Sequence, residues 1–156
     1  MGRLVQTVRH AGFVPVNPWD FDITKRVEEI SALDDLEEVT AAWRTLNREI
    51  GERNRRSIEE CDLMLACLDG PDVDSGTASE IGYAFALGKG IQGYRGDFRL
   101  TGDNLGSRIN LQVQYWIEAS GGGIAATLDT IPAALHLLKS HIADSKRRPS
   151  KIGTNR

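Results

Sequence analysis

The chain has 156 residues, 40% of them apolar and 26% charged, with a formal net charge of −3. That is the length of one compact domain with enough apolar mass for a single core, and the acidic balance argues against nucleic acid, whose phosphates want a basic face. The apolar runs are too short to span a bilayer, and Met1 to His10 lacks the apolar stretch and cleavage site of a signal peptide, so no membrane partner and a cytoplasmic location are expected.

Residues 3–11 read as the end of a helix, stopped by Gly12. Phe13 to Val16 reads as a short strand, with Pro15 marking an edge or a strand end. Asn17 to Asp22 follows as a loop, and 22–36 is polar and acidic without a clear period. Residues 36–60 carry the strongest helical pattern. Val39, Trp43, Leu46 and Ile50 recur at steps of four, three and four, which puts them on one face with Trp43 in the core. Gly51 is expected to divide this stretch into two helices. Leu63 to Leu68 is a continuous apolar run bounded by Asp62 and Asp69-Gly70, which suits a strand buried on both faces.

A loop over 70–76 and a helix over 77–88 come next. That helix presents Ile81, Ala84, Phe85 and Gly88 as a close-packing face and is stopped by Gly90. Ile91 to Tyr94 reads as a strand, 95–109 as a polar loop and 110–118 as a helix or a strand, with helix favoured. Gly121-Gly122-Gly123 breaks the chain, and Ile124 to Ala126 reads as a last short strand. Thr130 is expected to cap a final helix with Ile131, Leu135, Leu138 and Ile142 on one face. The organisation expected is a single domain over 1–145, followed by a basic, disordered tail from Lys146 to Arg156.

Strands alternating with helices over short connections predict an α/β fold with a doubly wound parallel sheet, three layers deep. Ligands of such sheets bind at the carboxyl ends of the strands, which points to the loops 69–77 and 95–109. From the first of these into the helix, Asp69, Asp72, Asp74 and Glu80 fall within twelve positions, with no lysine. Phosphate cradles are glycine-rich and basic, so this loop suits a neutral or cationic group, or chemistry done by carboxylates. Two carboxylates act on a glycosidic bond when one attacks the anomeric carbon and the other protonates the leaving group; retention requires them about 5 Å apart. Glu80, expected one turn into the helix, gains from the helix N-terminus as an ionised nucleophile. Asp74, expected to be partly buried beside other acids, suits a proton donor. The competing reading is that Thr77-x-x-Glu80 is only a capping box, with Asp69 and Asp72 in a solvated acidic loop.

The run Asp74-Ser75-Gly76-Thr77-Ala78-Ser79-Glu80-Ile81-Gly82-Tyr83-Ala84, followed by Ala86-Leu87-Gly88-Lys89, resembles the signature of the nucleoside 2-deoxyribosyltransferases. Asn54, Ile58, Cys61 and Asp62 resemble that family's lead-in to the strand. Asp97-Phe98-Arg99, Asp103-Asn104 and Asn110-Leu111 resemble elements of one of its branches.

The resemblance implies a flavodoxin-like fold and a double displacement in which Glu80 attacks C1′ of a 2′-deoxynucleoside and Asp74 is the general acid/base. A free nucleobase is the second substrate. It also implies substrate-binding roles for Asp72, Gly76, Thr77, Asp97, Arg99, Asp103 and Asn104, with Asn54 near the base. A homo-oligomer follows, in which Asn110 is supplied to a neighbouring site, and no metal or organic cofactor is implied. The family's first strand precedes its first helix, whereas Met1-Gly2-Arg3 already reads as helix. In strand order 2-1-3-4-5 a central strand is therefore expected to be missing. Gly102 to Ile109 departs from the family's base-recognition loop, so base preference is not legible.

Two rival readings use the same residues. One is a hydrolase of 2′-deoxynucleoside 5′-monophosphates, with Arg95, Arg99 and Arg108 as a phosphate site or simply as solvated surface. The other is a nucleoside-binding protein without turnover. Trp19 and Phe21 fit either base stacking or core packing, and Tyr83 and Phe85 fit core or subunit contacts. Cys61 and Cys67 read as reduced, buried packing residues. His10, His136 and His141 have no metal-ligand spacing and read as surface or packing residues.

Overall fold

The computed structural model describes residues 2–147. Contacts group the chain into two compact units, one of the residues up to Phe13 with those from Asp62 on, the other of Val14–Cys61.

The first unit holds a three-stranded sheet of β1 (Leu63–Cys67), β2 (Gly90–Tyr94) and β3 (Ile124–Ala125), all parallel and in that order. Four helices flank it: α1 (Gly2–His10), α4 (Ser75–Ala86), α5 (Leu111–Ala119) and α6 (Ile131–Arg147). The second unit holds α2 (Thr24–Ser31) and α3 (Leu36–Glu60).

Period-two alternation sorts the strand side chains into two layers. Leu63, Leu65, Cys67 and Tyr94 pack against a cluster of Leu4 and Val8 from α1 with Ile131 and Leu135 from α6. On the opposite face Gly93 meets Leu68, Ile117 and Ile124, and α4 lies across β1 and β2 beside α5. Helices on both faces of a parallel sheet make the three-layer, doubly wound arrangement. The close approach of α6 rests on Gly90, where a Cβ would collide with Ile142 and Leu138. Gln92 is 4% exposed and ties β2 to the Gly123 backbone, donating to its carbonyl at 2.7 Å and accepting from its N–H at 3.3 Å.

In the second unit α2 packs on α3, and Asp35 caps α3 by accepting from the N–H groups of Glu37 and Glu38 at 2.9 Å. Around Arg55 the carboxylates of Glu52 and Glu59 form an exposed ladder with Arg56. Its hydrogen bonds from Arg55 hold the Glu52 carboxyl at about 2.

Several expectations need correction. Phe13 to Val16 forms no strand. Its backbone pairs with no strand among the described residues, Val14 is 93% exposed, and the Phe13 N–H closes the end of α1 on the Val8 carbonyl. Residues 24–31 are helical despite their polarity, because Ile23, Val27 and Ile30 fall on one face and Ile30 is buried. Gly51 does not divide α3: a mid-helix glycine costs only about 1 kcal/mol relative to alanine, and the ion-pair ladder follows at once.

Trp43 is 38% exposed, so Leu46, at 2%, is the core residue of that face. Gly88, at φ +70°, ends α4, while Gly90 already belongs to β2. The Thr130 hydroxyl donates to the Thr127 carbonyl in a 3-10 turn over Leu128–Thr130 that leads into α6. Cys61 and Cys67 are free thiols and half-buried rather than buried. Lys146 and Arg147 continue α6, and the rest of the expected tail lies outside the described residues.

Candidate active site at the N-terminus of α4

The buried Leu68 follows β1, and the loop 69–74 carries the chain to α4. Gly70 turns it at φ +131°, a conformation L side chains rarely adopt. The helix then opens two residues earlier than expected. Asp74 is its N-cap, and its Oδ2 accepts from the Thr77 N–H at 2.9 Å and the Thr77 hydroxyl at 3.3 Å. Thr77 therefore stands at the third helical position, and Glu80 at the sixth.

This register changes two expectations. The capping-box reading of Thr77-x-x-Glu80 fails, because the cap is Asp74 and Glu80 is not at the third position. The helix N-terminus also acts less on Glu80 than expected, because its influence falls off within the first turn. Helical geometry sets Glu80 above Gly76 and Thr77, at i−4 and i−3, with side chains leaning toward the N-terminus. Glu80 is half-buried, and position 76 below it carries no side chain. Gly76 also serves the cap, since a Cβ there would lie 3.0 Å from the Asp74 Oδ2. Asp74 is exposed rather than partly buried, with both cap hydrogen bonds on Oδ2. Asp72 is also exposed and accepts from the Val73 N–H at 2.7 Å.

The structure brings the second loop against the first. The Asp69 Oδ1 accepts from the N–H groups of Gly96 and Asp97 at 2.7 and 2.9 Å. Arg95, 2% exposed, donates to the carbonyls of Leu68, Gly70 and Arg99. Asp97 and Arg99 form a side-chain ion pair, and the Asp97 Oδ1 also accepts from the Arg99 N–H. These hydrogen bonds hold the Asp97 carboxyl well below the usual carboxylate range. Tyr94 is half-buried, and burial, with the Asp69 carboxylate second, raises its phenol above the ordinary value. A cavity of about 560 Å³ opens here, lined by Asp69, Tyr94, Gly96, Asp97, Phe98 and Arg99.

Residues 101–110 close onto α5. Asn110 is its N-cap, accepting from the N–H groups of Gln112 and Val113, and Asp103 accepts from the Leu111 N–H at 2.6 Å. Asn104 accepts from the Gly106 N–H at 2.8 Å. A second cavity, of about 400 Å³, runs along this loop from Leu100 to Arg108. Neither cavity is lined by Asp74 or Glu80.

Asn54 is half-buried on α3 of the second unit. There Trp19 is 78% exposed, so it is no core residue, while Phe21 is half-buried with the Arg53 guanidinium 4.4 Å from its ring centre. Phe85 stacks on Trp116 at 4.5 Å between α4 and α5. No group of three His, Cys, Asp or Glu among the described residues is placed to hold a metal. No described helix is long and apolar enough to cross a membrane.

Asp69 is exposed, as a solvated acidic loop implies, but sequence reasoning missed its grip on the Gly96 and Asp97 amides, took Arg95 for a phosphate ligand or solvated surface, and did not weigh Tyr94. The available signal was positional: Asp69 follows β1 and Tyr94-Arg95 end β2, at the carboxyl edge where such sheets bind ligands.

The fold and this loop arrangement are those of an α/β protein with a carboxylate-bearing helix N-terminus beside a parallel sheet. The family model for nucleoside 2-deoxyribosyltransferase matches residues 1–112, and the chain belongs to that family. The uncharacterized protein C191.05c of Schizosaccharomyces pombe is 35% identical over 121 residues, covering 75% of this chain and 50% of that protein. The chain thus spans about half the length of this relative.

Proposed function

We propose that this protein exchanges the base of a 2′-deoxyribonucleoside by retaining double displacement, with Glu80 as nucleophile and Asp74 as general acid/base. The observation that carries this reading is the register of α4. It sets a half-buried carboxylate above a glycine, six residues past an aspartate that caps the same helix at the carboxyl end of β1.

In the first step a Glu80 carboxylate oxygen bonds C1′ as the bond from C1′ to the base nitrogen breaks. The bonding pair leaves with the base, which takes a proton from Asp74. In the second step an incoming base loses a proton to Asp74 and attacks C1′, releasing Glu80. Two inversions give net retention. A 2′-hydroxyl would withdraw electrons from the oxocarbenium-like transition state, which accounts for a 2′-deoxy sugar. Gly76 leaves room for that sugar over Glu80, and Asp72, Thr77, Asp97, Arg99, Asp103 and Asn104 bind substrate around it. Asn110 serves a neighbouring copy in a homo-oligomer.

The phosphate requirement of the hydrolase finds less support. Arg95 is engaged with backbone carbonyls, Arg99 with Asp97, and Arg108 donates to the Ile124 carbonyl at 3.4 Å.

The test is chromatography of 2′-deoxyinosine with adenine over the protein and over Glu80→Ala. Formation of 2′-deoxyadenosine is expected, with a loss of at least about 10³-fold in kcat for Glu80→Ala. Hypoxanthine without 2′-deoxyadenosine would make water the acceptor. No turnover with the nucleoside or with its 5′-monophosphate would overturn both enzymatic readings.

A further inference from the structure

The deepest-buried charged side chain of the described residues is Arg95, and it sits at neither end of an ion pair. Its guanidinium donates to three backbone carbonyls, of Leu68, of Gly70 at 3.1 Å and of Arg99 at 2.9 Å. Its Nε is buried with no hydrogen-bond partner among the described residues. A buried cation is costly unless fully hydrogen-bonded or paired, so an apolar side chain would fill the space at lower cost. The guanidinium does something an apolar residue does not: its planar fork reaches two loops at once.

The direction of the bonds is specific. The Arg95 backbone N–H is anchored on the Ala125 carbonyl of β3, and the Leu68 N–H on the Tyr94 carbonyl of β2. From that frame the cation at the end of β2 grips the carbonyls on either side of Asp69. In return the Asp69 carboxylate grips the amides of Gly96 and Asp97, on the loop that leaves β2. Each loop supplies one charged side chain, and each charge is met by the other loop's backbone. Gly70, at φ +131°, turns the chain where Arg95 holds its carbonyl. Only Pro71, Asp72 and Val73 then separate this brace from Asp74, which is fastened to α4 by its cap.

We infer that Arg95, with Asp69 as its counterpart, is a positioning residue that sets the 69–74 loop and so places Asp74 relative to Glu80. This rests on the proposal that Asp74 and Glu80 are the reacting carboxylates. A carboxylate that must meet a leaving base in the transition state loses rate when its position spreads, even if binding is kept. The effect therefore falls on kcat rather than on KM.

The experiment uses the full chain and the variants Arg95→Lys and Asp69→Ala, read by base-exchange kinetics and by hydrogen–deuterium exchange of peptides over 68–77 and 90–94. Lysine keeps the charge without the fork, and alanine at 69 removes the reciprocal grip. In each variant kcat is expected to fall at least about tenfold with KM changed by less than about threefold. Amide exchange over 70–74 is expected to quicken at least about tenfold while 90–94 keeps its protection.

Parental kcat and parental exchange over 70–74 in a variant that keeps the 90–94 protection would overturn the inference. So would a loss carried by KM alone. If Arg95→Lys loses protection over 90–94 as well, the decision rests on Asp69→Ala, which buries no charge. If the parent shows no turnover and Glu80→Ala is indistinguishable from it, the reading of Glu80 fails. The exchange data then still decide whether Arg95 sets the loop.

Discussion

The N-termini of α4 and α5 begin alike and end differently. Both open on a short acid or amide whose side chain accepts from the helix's first N–H groups, Asp74 at α4 and Asn110 at α5. At α5 this use absorbs the residues that stood out: Asn110 caps, and Asp103 takes the Leu111 N–H. At α4 the cap absorbs Asp74 and Thr77, while Glu80 stands six residues past it, half-buried, where no capping role falls. Asp, Asn and Thr collect at helix starts for backbone reasons alone. Residue type alone therefore does not separate a helix cap from a reacting carboxylate; the register of the helix does.

Asp74→Asn sharpens this comparison most. Asn caps as well as Asp but has no proton to give, so the melting temperature is expected to stay within about 2 °C while kcat falls by roughly 10²–10⁴-fold. A variant that keeps full activity would reduce Asp74 to a cap, like Asn110. Asn110→Ala has a smaller expected effect. Loss of the α5 cap costs about 1 kcal/mol by denaturant titration. If Asn110 also serves a neighbouring copy, KM for the nucleoside rises without a change in that stability cost, and unchanged KM would leave it a cap alone.

The smallest effect lies in the loop between the two helices. Arg99 lowers the Asp97 carboxyl below its ordinary range. The stabilisation is therefore fully present above the unfolded carboxylate value of about 3.9 and is lost as pH falls through the lower folded value. Denaturation midpoints of the protein and of Asp97→Asn, measured from pH 7 downward, are expected to differ by a constant amount to about pH 4 and to converge below it. A gap that begins to close near neutrality would contradict the assigned pairing.

β1, α4, β2 and α6 were legible because one dominant signal marks each, an apolar run bounded by turns or a repeated i, i+4 face. α2 was not, since Ile23, Val27 and Ile30 are outnumbered by charged residues whose long side chains lie on the solvent side. The Phe13–Val16 strand failed for the opposite reason: β-propensity proposes a strand, but a strand exists only when its N–H and C=O groups find a partner.

At the site, the acidic loop, Glu80 and the Gly76 signature could be read directly. The register of α4 was not legible, because Asp74 and Thr77 are both good caps and the three residues between them move Glu80 from the third to the sixth position. Nor was Arg95. Two of the three carbonyls it holds lie 27 and 25 residues away, and no local pattern reports such distances.

By itself, then, the sequence determined the family, the alternation that makes a parallel sheet, and the loop where carboxylates gather at the end of β1. These follow from local spacing and residue type. Only the tertiary structure decided how the polar groups of the loops divide among the backbone groups that need partners. That division depends on which N–H and C=O groups remain unpaired once strands and helices are in place, and it is settled by contacts between residues distant in the chain.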